Sequence, residues 1–133
     1  MIKIHQIQLT KNQIDAVNAG EKVAAFDAKN TLSVFGMPSQ FKTEWFNDFF
    51  DVAFEVDTDD LNSAFEWTNL WNNQSAVDVI GDRNHSSSVG DVFELNGEFF
   101  LCAAFGFEQL TSLTSYMSRL KSLEAILDAK VAA

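Results

Sequence analysis

A chain of 133 residues, 47% of them hydrophobic and 13 of them Phe, has the apolar material for one core, because a domain of this size buries roughly two thirds of the surface its unfolded chain exposes; a single globular domain over residues 1–133 is expected. Its 19 acidic and 9 basic residues leave a formal charge of −10, a field that repels nucleic-acid phosphates and anionic membranes and so argues against direct nucleic-acid binding. No apolar run approaches the ~20 residues of a membrane span, Met1 to Thr10 lacks a signal-peptide core, and the lone Cys102 excludes an internal disulfide, which together point to a soluble cytoplasmic protein.

Ile2, Ile4, Ile7 and Leu9 predict an opening strand whose apolar parity slips between Ile4 and Ile7, as a bulge or an early strand end would produce. Thr10 to Gln13 is a T-x-x-Q pattern, in which hydroxyl and amide satisfy each other's neighbouring backbone donors at a helix start. Gly20 is a natural stop for that helix. Over Val23 to Phe35, Ala-rich and β-branched stretches follow one another, and periodicity leaves helix and strand both open. Pro38 and Ser39 then introduce a helix in which Phe41, Trp45, Phe46, Phe49 and Phe50 form an aromatic stripe.

Val52, Phe54 and Val56 alternate with Ala53 and Glu55 as a strand buried on one face does. Asp57 or Thr58 is expected to cap the following helix, placing Asp59 and Asp60 in its first turn and Leu61, Ala64, Phe65 and Thr68 on its inner face. Val77 and Val79 suggest a short strand, and a polar loop runs from Gly81 to Ser88. The clearest local signal is Asn96-Gly97 between two apolar runs, the pair suited to a type I′ hairpin turn. It sets Phe93 opposite Phe100 and Val92 opposite Leu101. From Thr111 to Ala129, Leu113, Met117, Leu120, Leu123 and Leu127 predict a long C-terminal helix. The expected fold class is α+β: a mostly antiparallel sheet with a hairpin in the C-terminal half and helices packed on one face.

The segment Ser86-Ser87-Ser88-Val89-Gly90-Asp91-Val92, followed by Gly97, Phe100, Cys102 and Phe105-Gly106-Phe107, resembles a pattern in small proteins of bacteriophages and other mobile elements, with YodL-like domains as distant relatives. Val56-Asp57-Thr58-Asp59-Asp60-Leu61, continuing to Phe65, Thr68 and Asn69, looks like part of the same pattern. The resemblance implies action inside a bacterial host cell and carries no catalytic residue with it.

The residues themselves point to no catalytic, cofactor or metal site. The Ser86 to Asp91 segment fits neither a phosphate-binding loop nor a nucleophile elbow and is followed by a strand, so it is read as a structural turn in which Gly90 supplies the unusual backbone and Asp91 opens the hairpin. His85 and Cys102 invite comparison with a thiol nucleophile and its base, but Cys102 lies between Leu101 and Ala103 and reads as core. His5 and His85 have no metal-ligand spacing, and Asp57-Thr58-Asp59-Asp60 lacks the Gly and distal Glu of a calcium loop.

Charge carries the functional expectation. Between Thr43 and Asp82 stand Glu44, Asp48, Asp51, Glu55, Asp57, Asp59, Asp60, Glu66, Asp78 and Asp82 with no basic residue. With Trp67 and Trp71 as aromatic anchors, Glu44 to Glu66 are expected to contact a basic surface on a host or defence protein, imitating DNA or plugging a groove in a restriction or CRISPR-type complex. The alternative is an accessory protein that self-associates through its C-terminal helix, where Leu113, Leu120 and Leu127 recur every seven residues and Glu124 interrupts the companion positions. A monomer or weak homodimer is expected.

Overall fold

Asn96 and Gly97 both take positive φ, 52° and 79°, and the turn they make joins strands paired Val92 to Leu101 and Phe93 to Phe100, the expected register. The computed structural model describes residues 1–132. The strands are β1 (Ile2–Ile7), β2 (Phe50–Val56), β3 (Val77–Val79), β4 (Val92–Leu95), β5 (Glu98–Ala103) and β6 (Gly106–Gln109). The helices are α1 (Lys11–Asn18), α2 (Ala24–Phe35), α3 (Thr43–Phe49), α4 (Leu61–Asn69) and α5 (Thr111–Ala132), with 3-10 turns at Pro38–Gln40 and Gln74–Ala76. All six strands form one antiparallel sheet in the order β3-β2-β1-β4-β5-β6. The α+β class and the long C-terminal helix therefore hold.

The sheet carries a core on each side. Successive residues Val92 and Phe93, and again Leu101 and Cys102, enter different clusters, as neighbours along a pleated strand must. One cluster joins Ile7, Phe50, Val92, Phe99 and Leu101 to α2, α3 and α5 through Leu32, Phe46 and Leu113. The other joins Ile2, Ile4, Phe54, Val56, Phe93 and Cys102 to α4 through Ala64. Three helices thus share the expected face, whereas α4 lies on the opposite one. Strands apolar on both faces need cover on both sides.

This arrangement explains the parity of the first strand. β1 does not slip: Ile2 and Ile4 serve one core and Ile7 the other. The irregularity lies in its partner, since Ile4 pairs with Phe54 and His5 with Val52, leaving Ala53 as an extra residue on β2. Ala53 and Phe54 consequently enter the same cluster, and the Ala53 carbonyl accepts from Ile80 at 2.9 Å.

Local chemistry sets most helix ends. Thr10 and Gln13 form the reciprocal capping box of α1. That helix closes on Gly20 with bonds from Gly20 to Val17 and Glu21 to Ala16, so the glycine takes φ 82°. The undecided segment is α2, which buries Ala25, Ala28 and Leu32 on one side and ends at Gly36 in the left-handed region. Pro38 opens only a 3-10 turn; α3 starts at Thr43, and Phe50 belongs to the strand. The cap of α4 is Asp60, which accepts from Asn62 at 2.9 Å, so Asp57 and Thr58 lie upstream and neither Asp59 nor Asp60 is in the first turn. β6 was not expected, because Gly106, Glu108 and Gln109 leave Phe107 as its only apolar residue; Phe107 packs its ring 4.8 Å from Phe93.

Candidate functional site

The acidic residues divide with the helices. Glu44 and Asp48 stand one turn apart on α3, and Glu66 stands on α4, across the sheet. Asp57, Asp59 and Asp60 cluster in the β2–α4 turn, Asp51 lies at the far end of β2 opposite Gln6, and Glu55 pairs in register with Lys3 and Asp78. All are exposed except half-buried Glu55. They do not form a single strip. Among the described residues, the only ion pairs in the wider acidic block are Asp59 with the Met1 ammonium at 2.9 Å and Asp82 with Arg83 at 3.7 Å.

The two groups differ in what surrounds them. Beside Glu44 and Asp48 run two open grooves. One, of ≈270 Å³, lies against α2 and is lined by Lys22, Asp27, Trp45 and Phe49; the other, of ≈320 Å³, is lined by Thr43, Asn47 and Tyr116. Trp45 also receives the Lys42 ammonium 5.6 Å from its ring centre. The tryptophans of both groups also serve the fold: Trp45, with Phe49, packs on the first core. Trp67 packs on the second core. Trp71, held at φ 57°, sets its ring 5.5 Å from Phe54 and donates to Ser86 Oγ at 2.7 Å.

Ser86 belongs to a loop that is bonded on every side. Gln6 donates through Nε2 to the His85 carbonyl at 2.8 Å and to Asp91 Oδ2 at 3.0 Å, and accepts from the His85 amide at 3.1 Å. Asp91 Oδ2 also accepts from the Ser88 amide at 3.0 Å. Ser87 is hydrogen-bonded to Thr68, and its carbonyl accepts from Asn69 at 2.7 Å. Lys29 reaches across from α2, its Nζ donating to the Ile7 carbonyl at 3.2 Å and lying 2.9 Å from His85 Nε2. His85 Nδ1 lies 2.9 Å from the Ser86 carbonyl. A neutral imidazole protonated at Nδ1 satisfies both contacts.

The electrostatics follow from burial. Desolvation pushes the Asp91 carboxyl up to about 7 against the pull of its hydrogen bonds and of Lys29. Desolvation also lowers Lys29 and His85. The Cys102 thiol is pushed up to about 12 by burial and by Asp91, and His85 is hydrogen-bonded to Lys29 and Ser86, not to the sulfur. The cavity against the loop measures only ≈10 Å³, about one water. Within the loop the Asp91 amide donates to the Ser88 carbonyl at 3.2 Å and Gly90 takes φ 99°, the turn geometry and unusual glycine backbone expected there. Among the described residues no three His, Cys, Asp or Glu side chains are grouped to hold a metal, and no helix is long and apolar enough to cross a membrane.

The parts of this network missed in the sequence are Gln6, Lys29 and the buried role of Asp91. The available signal was Gln6 itself, a polar residue in phase with Ile2 and Ile4 that is fully buried. A third distinctive surface is the outer half of α5, where Leu123, Ile126, Leu127 and Val131 are 54% to 87% exposed. No protein-family model, curated protein or solved structure matches this chain.

Proposed function

We propose that this is a non-enzymatic phage or mobile-element protein that acts in the bacterial cytoplasm by binding a host or defence protein with a basic surface, and that the face of α3 makes the contact. The observation that carries this reading is the company Glu44 and Asp48 keep. Both are exposed, neither is ion-paired among the described residues, and both border grooves lined by Trp45, Phe49 and Tyr116, with Asp27 adding a third carboxylate. Aromatic side chains supply contact area and carboxylates steer a cationic partner, a combination typical of protein interfaces. Because the remaining acids face other directions, the contact is a compact plug and not an extended imitation of a duplex. A restriction or CRISPR-type complex, whose nucleic-acid groove is already basic, is the target class that fits.

The test is capture from bacterial lysate at low and high salt with the wild-type chain, Glu44→Lys/Asp48→Lys and Asp59→Lys/Glu66→Lys, followed by nuclease inhibition with any complex captured. Capture that weakens with salt and is lost in the α3 variant alone is the expected result. Loss in the α4-side variant alone, or capture indifferent to salt, overturns the reading.

A further inference from the structure

The Lys29 ammonium stands where three segments meet. Its Nζ donates to the Ile7 carbonyl at the end of β1 at 3.2 Å and lies 2.9 Å from His85 Nε2 in the β3–β4 loop, so one cation ties α2 to the sheet and to the loop. An ammonium has only donors to offer, so Nε2 meets it with a free lone pair. The other ring nitrogen, Nδ1, is committed to the Ser86 carbonyl, which makes Nε2 the atom that an incoming proton takes. Once protonated, the ring sets a second cation and a second donor against the ammonium. The Ile7 carbonyl also lies within reach of the ring, and a hydrogen bond to it favours the imidazolium. Lys29 and a protonated His85 thus compete for one acceptor.

We infer that Lys29 is an acid-released arm: when His85 takes up a proton, its Nε2 takes over the Ile7 carbonyl and the ammonium swings out to solvent. Lys29 and His85 are both half-buried, which gives the arm a way out while the fold stays intact. The groups that face the arm act in the same direction. Asp91, at the start of β4, is the anion that attracts Lys29, and its carboxyl takes up a proton at about 7. Cys102 of β5 lies against Asp91 and stays a neutral thiol, its value pushed up to about 12. From β1 the neighbour is uncharged Gln6, bonded to His85 and Asp91. Linkage fixes the sign. The Lys29 charge lowers the proton affinity of both His85 and Asp91, so a proton bound by either weakens the hold on the ammonium. The arm is therefore seated at mildly alkaline pH and leaves as pH falls through about 7 and below 6.5. This device is independent of the α3 contact, which lies on another helix.

Nuclear magnetic resonance of the full chain between about pH 8 and 5 reads ring and arm separately. The Lys29 ε-methylene resonances, displaced by the adjacent imidazole at the alkaline end, should reach the positions of a solvent-exposed lysine with the midpoint at which the His85 ring titrates. Lys29→Met keeps the stem and removes the charge, and should raise that His85 midpoint by about one unit, a tenfold gain in proton affinity. A ring that titrates while the Lys29 resonances stay in place overturns the proposal. So does a ring that takes up no proton before the chain unfolds, or a midpoint that Lys29→Met leaves unmoved in a folded chain. The wild-type titration is decisive even where the variant fails to fold.

Discussion

A carboxyl group buried as deeply as Asp91 costs more to ionise in the folded chain than in the unfolded one, and the consequence is a dependence of stability on pH. Its ordinary value is 3.8 and its folded value about 7. Between those limits the native chain keeps a proton that the unfolded chain has released. Asp91 therefore favours the fold at the acid end, and that advantage disappears as pH rises to about 7. His85 has the opposite sign: its folded value lies below 6.5, so falling pH protonates the unfolded chain first and removes stability below that point. Asp91→Asn keeps an oxygen for Gln6 and Ser88 and has no proton to lose. Relative to wild type it should gain stability from about pH 4 to 8, by on the order of a few kcal/mol, in urea unfolding measured across that range. Asp91→Ala should instead lose about 1–3 kcal/mol for each donor left unpaired near pH 4, a deficit that shrinks as pH rises toward 8 because this variant too has no carboxyl to ionise.

At the level of elements, two glycines with positive φ make different predictions. A Cβ on Gly97 meets nothing within 4 Å, whereas one on Gly36 would stand 2.8 Å from Val89 Cγ1 and 3.2 Å from the Ala104 amide. Gly97→Ala should cost about 1 kcal/mol of backbone strain. Gly36→Ala should cost more, roughly 2–4 kcal/mol, because the end of α2 must move off the β5–β6 turn; thermal unfolding of the pair checks the order. The contrast also indicates what the sequence makes legible. Asn96-Gly97 and the Thr10-Gln13 box act through residues two or three apart, so their geometry can be read locally. The helix over Ala24–Phe35 could not be, since two of its three buried residues are Ala and its exposed end holds Val34 and Phe35. β6 was equally obscure, with one apolar residue in four. The acids were visible as a run, but their division between α3 and α4 depends on which core each helix covers. The network around Asp91 joins β1, α2, α4 and the hairpin, partners far apart along the chain.

For the whole molecule, the formal charge of −10 works against compaction, and the ion pairs among the described residues are few and mostly exposed. Added salt screens this repulsion before it weakens anything comparable in favour of the fold. The melting temperature should therefore rise by a few degrees between about 0.02 and 0.5 M sodium chloride, and a flat or falling profile in differential scanning calorimetry would count against an unbalanced surface.

The order of the sheet has its own consequence for how the chain is made. β1 is translated before every other strand yet sits between β2 and β4, with Ile2 paired to Val56 on one side and to Leu95 on the other. On the ribosome its first edge waits for about 50 residues of nascent chain and its second for about 90, during which Ile2, Ile4 and Ile7 have no permanent shelter. Completion of the sheet is accordingly a late event in synthesis, and the interval before it is when the apolar edge of β1 is most open to pairing with other chains.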